Sequence, residues 1–361
     1  MDELLTASAR AGDAMAFAEL TEAYRRELQV HCYRIVGSVA EAEDLVQETL
    51  LSAWRGIGDF EGRSSVRTWL YRIATNRCLN ALRAQDRRRP AAAEPSRPLP
   101  EPSRLAEVTW LEPYPDTLLA GLDDPAPGPE ARIESREAVS LAFVTVTQSL
   151  PPRQRTILLL RDVLGYRGAE VADMLATTEN AVASGLKRAR ATLAARVPAD
   201  PAPLPGSRAE RRTVDAFVTA FEHGDVPALV ALLTDDASAT MPPLPQDYVG
   251  PAAIAHFFTE VGFAHGTRRF RLVATRANGQ PAFGRYLQDP HTPIARAHGL
   301  TVLTLAGDRI TQLTSFLDTA LFPRFGLPRM LPDPTSTARP QAREADQRGS
   351  AGQDVFVERH T

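Results

Sequence analysis

The chain has 361 residues, with 41 Lys+Arg against 44 Asp+Glu, a formal net charge of −3 and 43% hydrophobic residues. That length exceeds one ordinary domain and predicts two or three, and the charge excludes a globally basic nucleic-acid binder, so any DNA contact must be a local patch. Two cysteines, Cys32 and Cys78, without CxxC or Cys/His spacing predict neither a zinc site nor a disulfide. The start shows no charged-then-apolar pattern and no apolar run is long enough for a bilayer-spanning helix, so neither a signal peptide nor a membrane span is read, and a cytoplasmic protein is expected.

Residues 2–35 hold Leu4, Leu5, Phe17, Leu20, Tyr24, Leu28 and Ile35 at helical spacing and predict two helices, with His31 structural. A third helix buries Ala42, Leu45, Val46, Leu50, Ala53 and Trp54, and turns Glu41, Asp44, Gln47, Glu48 and Ser52 outward. Gly56, Gly58 and Gly62 then frame a loop with Phe60 exposed, followed by Arg63, Ser64 and Ser65. A fourth helix from Val66 points Leu70, Ile73, Ala74 and Leu82 inward and Trp69, Arg72, Asn76, Asn80 and Arg83 outward, ending in Arg87-Arg88-Arg89-Pro90. Arginine grips phosphate bidentately, asparagine reads base edges, and aromatic rings stack on unpaired bases. The acidic helix suits a basic protein surface and the Arg/Asn/Trp face suits nucleic acid, and periodicity alone allows both equally to be the solvated faces of an ordinary helical bundle.

The residue order Glu41-Ala42-Glu43-Asp44-Leu45-Val46-Gln47-Glu48-Thr49, then Phe60-Glu61-Gly62-Arg63-Ser64-Ser65, then Arg67-Thr68-Trp69-Leu70-Tyr71-Arg72-Ile73-Ala74-Thr75-Asn76 resembles domain 2 of an extracytoplasmic-function (ECF) sigma factor, the specificity subunit of bacterial RNA polymerase. The resemblance implies that Asp44, Gln47 and Glu48 dock on the clamp of core polymerase. It implies that the loop with Phe60, Arg63 and Ser64 captures a flipped base of the −10 element, and that Trp69, Arg72, Asn76, Asn80 and Arg83 contact the opened strand.

From 91 to 129 the composition shifts to proline, alanine and glutamate, which predicts an extended linker. Within it Trp110, Leu111, Pro113 and Tyr114 are too apolar for an idle tether and predict docking on a neighbouring domain or in the polymerase channel. Residues 130–197 return to helix: Glu134 to Leu150 with Val139, Phe143, Val146 and Leu150 inward, a helix after Pro151-Pro152, then Ala169–Leu175 and Glu179 to about Arg196 joined by a short turn. The last pair reads as a helix-turn-helix whose outer face bears Thr178, Asn180, Ser184, Lys187 and Arg188. Its place after domain 2 and a linker resembles sigma domain 4, and so implies −35 binding. Many ECF factors carry a basic residue where this chain has Ala183 and Gly185, so fewer or shifted −35 contacts are expected.

After a second linker, 198–207, the chain runs on with helices over Arg211–Leu233, a turn and short strand at 235–243, a helix at Ala252–Val261, and strands at 268–276, 281–287, 298–306 and 309–318 around a Gly307-Asp308 hairpin turn. The segments Leu233-Thr234-Asp235-Asp236-Ala237, Met241-Pro242-Pro243 and Gly250-Pro251-Ala252-Ala253-Ile254 resemble the SnoaL-like, ketosteroid-isomerase-like superfamily, an α+β cone over 208–328. Isomerases of that superfamily place a catalytic carboxylate near the position of Met241, and methionine cannot take a proton. His256, His298, Asp235, Asp236 and Asp308 remain as polar candidates but read as turn or solvated residues, so no enzyme is expected. Residues 329–361 read as a disordered tail.

The expected architecture is multidomain: all-α domains at 1–90 and 130–197, a helical bundle and a helix-turn-helix, followed by the α+β cone. The expected function is promoter-specific initiation with core polymerase and promoter DNA as partners. No metal or cofactor is expected, a small ligand in the cone is an option, and the cone is expected to regulate the sigma domains by intramolecular contact. The alternatives are a one-component helix-turn-helix repressor and a SnoaL-like enzyme with a helical scaffold.

Overall fold

The structure is a computed structural model that describes residues 2–86, 98–105, 111–119, 140–194 and 202–332. Trp110, the basic run from Arg87, the first turns expected from Glu134 and the tail beyond Pro332 lie outside the described residues. Four helices open the chain: α1 (Asp2–Arg10), α2 (Ala14–Val36), α3 (Val39–Gly56) and α4 (Val66–Asp86). Local chemistry sets their ends. The Asp13 carboxylate accepts from the N–H groups of Met15 and Ala16 at the start of α2, and Gly37, at φ 82°, closes it with a bond to Tyr33 O. Ser38 Oγ accepts from Glu41 N at the start of α3. Leu28, Tyr33, Ile35, Leu70, Tyr71 and Ala74 are buried between these helices, and the thiols of Cys32 and Cys78 are buried and free.

His31 is 1% exposed, with Nε2 2.8 Å from Thr75 Oγ1 and its ring 4.9 Å from that of Tyr71. Burial, reinforced by the nearby Arg34 and Arg67 charges, depresses its pKa to about 3. It is a neutral core residue.

Four further helices follow: α5 (Leu141–Gln148), α6 (Pro152–Leu158, continuing as a π turn to Val163), α7 (Gly168–Met174) and α8 (Glu179–Ala194). In α5 the buried face is Leu141 and Val144, with Phe143 and Val146 half-buried, because the packing partner is α2 on one side and not the face expected from a longer helix. Residues α7 and α8 form the expected helix-turn-helix, with Ala176 at φ 47° in the turn. Gly185 is buried, and a Cβ there would stand 2.8 Å from Ile157 Cδ1. A glycine at that point lets α8 approach α6; a basic side chain would have nowhere to go.

The C-terminal part begins with α9 (Arg208–His223) and α10 (Val226–Ala231), and carries α11 (Pro251–Phe257) beneath a sheet. Its strands are β2 (Leu233–Met241), β3 (Leu244–Val249), β4 (Phe270–Ala277), β5 (Gln280–Gln288), β6 (Ile294–Ala306) and β7 (Arg309–Phe316). Two short pieces join them, β1 (Arg104–Leu105) and β8 (Met330–Pro332). The order is β1-β3-β2-β7-β6-β5-β4, with β8 on β6; β2 and β7 run parallel and the other neighbours antiparallel. Three expectations are corrected. Asp235 and Asp236 lie within strand β2 and not in a turn, in the irregular stretch between the pairs Leu233–Ile310 and Ser238–Gln312. The linker contributes β1 to the sheet edge. Residues 330–332 pair with β6, so order continues past Pro328.

Each face of this sheet has its own core. The inner face closes over Phe217, Phe221, Phe257, Phe258, Phe263, Phe270 and Phe283, with Met241 among them. Neighbouring ring centroids such as Phe217–Phe221 at 5.4 Å and Phe221–Phe263 at 5.2 Å are van der Waals spacings. The outer face, with Ala282, Tyr286, Leu300, Val302 and Phe316, belongs to the same continuous core as the described helices of the first half. No helix among the described residues is long and apolar enough to cross a membrane.

Two outcomes follow from the helical half. Between pH 6.5 and 3 the unfolded chain protonates its histidine at position 31 while the native chain does not, so the unfolded state binds more protons and stability falls as pH falls. Urea midpoints should drop on acidification below about pH 6.5, by up to about 1.4 kcal/mol per pH unit from this group, and His31→Gln should flatten that dependence. Gly185→Arg should lower stability by about 1–3 kcal/mol through overpacking against Ile157, measured by the denaturation midpoint.

Candidate nucleic-acid interface

Helix α4 presents Arg72, Asn76, Asn80 and Arg83 exposed along one stripe, at the i, i+4, i+8 and i+11 positions that stack on a helix. Asn80 Oδ1 accepts from Arg83 Nη1 at 2.9 Å, which holds an amide and a guanidinium side by side. Arg63 and Ser64 are exposed in the preceding loop, where Arg63 pairs with Glu61 at 2.9 Å. Phe60 and Trp69 differ from the sequence expectation. Both are 8% exposed, and their rings meet in a tilted pair at 5.0 Å. Each ring covers the other, since exposing two large rings costs more than packing them together.

Helix α3 exposes Asp44, Gln47 and Glu48 together. Glu48 reaches Arg77 of α4 at 3.5 Å; both side chains are solvated, so the pair leaves the acidic face available. On α8, Thr178, Asn180, Ser184, Lys187 and Arg188 are all exposed. Thr178 has a second duty: its Oγ1 accepts from Ala181 N and caps the helix. The side-on pair of Arg190 with Asp162, at 2.7 and 2.8 Å, ties α8 to α6.

These surfaces are not independent. Asn76 Nδ2, in the middle of the α4 stripe, donates to Arg72 O at 2.9 Å and to Met174 O of α7 at 3.2 Å, so the helix-turn-helix abuts the α4 stripe. Tyr71 of α4 and Tyr166, just before α7, meet edge-on at 5.9 Å. Gln148 Nε2 donates to the carbonyls of Arg34 and Ile35 at the end of α2. The buried Arg155 guanidinium spends its donors on the carbonyls of Ile35, Thr147, Gln148 and Leu150.

The linker joins all three parts. Leu111, Pro113 and Tyr114 are buried, Tyr114 completely. Glu112 caps α3: its Oε2 accepts from Val39 N at 2.8 Å and Ala40 N at 3.3 Å, a carboxylate at the positive end of the helix. Tyr33 Oη donates to Glu112 O at 2.8 Å and accepts from Asn278 Nδ2 at 2.9 Å. Burial pushes the Tyr33 phenol well above its usual range and keeps it protonated. Asn278, fully buried at φ 57°, also accepts from Tyr114 N at its Oδ1 and donates its own N–H to Tyr114 O, both at 2.8 Å. Asn278 and Gly279, at φ 73°, are the two-residue turn between β4 and β5.

Further contacts flank that turn. Asp116 Oδ1 accepts from Gly279 N at 2.7 Å, and Arg276 pairs with Asp116 at 3.3 Å and with Glu210 at 2.9 Å. Gln280 Oε1 accepts from Leu141 N at 3.0 Å, and Arg324 pairs with Glu43 of α3 at 2.8 Å. On the far side, Leu99 packs on the core of the cone, Tyr248 Oη donates to Pro100 O at 3.0 Å, and Arg104 pairs with the buried Asp247 at 2.7 Å. Sequence reading missed Glu112, Asn278, Gln280 and Arg155. The Asn-Gly dipeptide between two strands was a legible turn signal; the other three were not, since nothing local marks a side chain whose partner is more than a hundred residues away or on another domain.

Residues 20–88 match the model of Sigma-70 region 2, residues 140–193 that of Sigma-70 region 4, and residues 214–313 that of the SnoaL-like domain. The chain is 46% identical over 333 residues to the ECF RNA polymerase sigma factor SigG of Mycobacterium tuberculosis, spanning 90% of this chain and 86% of that one. It is 31% identical over 222 residues to SigJ of the same organism, covering 61% and 62% of the two chains. The fold as a whole, with a TM-score of 0.55 and 24% identity over 86% of this chain and 99% of the other, is that of the crystal structure of SigJ. With two sigma regions in order and near-full-length identity to a sigma factor, the chain belongs to the ECF RNA polymerase sigma factors, the subunits that bind core polymerase and direct transcription initiation at promoters.

Proposed function

We propose that this sigma factor rests in a closed state, in which the SnoaL-like cone and the linker hold the −10 and −35 readers against each other, and that it acts once this state opens. The observation that carries the reading is the contact of Asn76 with Met174 O, which joins a −10 residue to the first helix of the −35 reader. The two promoter elements lie apart on DNA, so a protein reading both must separate these surfaces. In the open state Asp44, Gln47 and Glu48 bind core polymerase. Phe60, Arg63, Ser64 and Trp69, with Arg72, Asn76, Asn80 and Arg83, hold the −10 strand, the ring pair Phe60–Trp69 yielding its faces to bases. Thr178, Asn180, Ser184, Lys187 and Arg188 hold −35 DNA.

The latch is the Asn-Gly turn of the cone. Asn278 holds Tyr33 of the first domain and Tyr114 of the linker, and Arg324 holds Glu43 on the same helix as the polymerase-binding face. Because these contacts are intramolecular, modest bonds suffice to keep the closed state populated. Helix α3 is shared between the latch and polymerase, which couples core binding to release. The cone acts here as a binding module: Met241, where an isomerase has its carboxylate, is packed among phenylalanines.

Asn278→Gly retains the left-handed turn but deletes both side-chain bonds, about 2 kcal/mol in all, or roughly thirtyfold in the closed-to-open ratio. In run-off transcription with sigma-free core polymerase on the promoter of its own operon, it should give several-fold more transcript than wild type, as should a chain ending at Ser207. Unchanged or reduced transcript from both would overturn the closed-state reading. Absence of transcript from every form, with DNA binding intact, would favour a one-component repressor.

A further inference from the structure

The buried Arg155 is ringed by carbonyls, and the half-buried Arg276 faces Glu210 and Asp116. Arg285, among the described residues, is placed differently. It lies on β5 between Phe283 and Leu287, both of which pack into the core of the cone, so strand alternation turns Arg285 to the same inner face. The residue is 8% exposed, and its Nε and Nη2 are buried without a hydrogen-bond partner. Burial alone lowers its pKa, to about 10, and no opposing charge contributes.

The seat of this guanidinium is built. Arg285 is paired in register with Gly299 of β6, and a Cβ at Gly299 would stand 2.7 Å from Nη2 and 2.6 Å from Phe316 O. Only glycine leaves room for the side chain. The preceding His298 turns its ring edge-on to Phe270 at 5.3 Å, on the inner side of the sheet. Leu317, whose Cα lies 3.5 Å from the same Cβ position, is 43% exposed, so the arginine sits near the rim of the cone and not at its centre.

Nε–H and Nη2–H are the two donors on one edge of a guanidinium, the fork that takes two oxygens of a carboxylate or phosphate. An unpaired buried charge is strongly unfavourable, and a native site that holds one requires an explanation such as a bound ion. We propose that Arg285 anchors a site for a small oxyanion in the SnoaL-like cone, seated on Gly299 and bound side-on through Nε and Nη2.

The test is thermal melting of the full-length protein with sodium phosphate, sodium acetate or sodium octanoate, each against sodium chloride at equal ionic strength and pH. Wild type should show a saturable rise of about 3–6 °C near saturation with at least one oxyanion and none with chloride. A response to phosphate alone identifies a phosphate ester as the ligand class, and a response to the carboxylates an organic acid. Arg285→Met should lose the response and melt higher than wild type in chloride, because the unpaired charge is gone. If Arg285→Met does not fold, Arg285→Gln decides in its place, with loss of the response expected. No oxyanion-specific rise in wild type, or the same rise in the variant that folds, overturns the proposal.

Discussion

A buried carboxamide governs the arrangement of the molecule. Asn278 is fully buried, and two different parts of the chain supply its partners: Tyr33 Oη for its amide hydrogen, Tyr114 N–H for its carbonyl oxygen, and Tyr114 O for its main-chain N–H. Withdrawing the cone would strand these groups and the Tyr33 phenol, whose burial already forbids ionisation. The hairpin, the linker and α2 are therefore held as one unit by the need to satisfy buried polar atoms, and the apolar contacts of Tyr33 with Tyr114, at 4.7 Å, close round that unit.

From this junction the other contacts spread in two directions. Toward the helices, Glu112 stabilises the start of α3, and Arg324 reaches Glu43 one turn further along. Toward the cone, the linker enters the sheet as β1 and drapes Pro100 over Tyr248. The outer face of the sheet is as apolar as its inner face because it never meets solvent: it shares a core with the helices. A free-standing cone would present that face to water, whereas here it is the means by which the third domain joins the first two. The result is a sigma factor in which α4 and the helix-turn-helix are placed against each other.

Much of this was legible from residue order. Helical periodicity marked α2, α3, α4 and the helix-turn-helix; strand alternation and the Gly307-Asp308 turn marked β6 and β7; and three motifs in sequence over residues 41–76 pointed to the family. The exposed stripe Arg72, Asn76, Asn80 and Arg83 follows from the 3.6-residue repeat alone. Where the reading departed, a partner from elsewhere had intervened. Trp69 falls on the polar side of α4 and yet is buried, since Phe60 folds back from the loop onto it. Asp235 and Asp236 look like turn residues, but they lie inside β2, whose flanking residues Leu233 and Ser238 are both paired with β7.

Sequence by itself determined the kind of element at nearly every stretch, because periodicity and caps act over three to five residues and are written locally. It also determined the glycine at 185, although not its reason, which is the side chain of Ile157 on another helix. Only the tertiary structure decided which surfaces meet: that the polar stripe of α4 touches the helix-turn-helix, that the turn at Asn278 is a keystone and not a solvated hairpin tip, and that Arg285 is buried without a counter-charge. Those outcomes depend on desolvation, and desolvation is set by what arrives from distant parts of the chain.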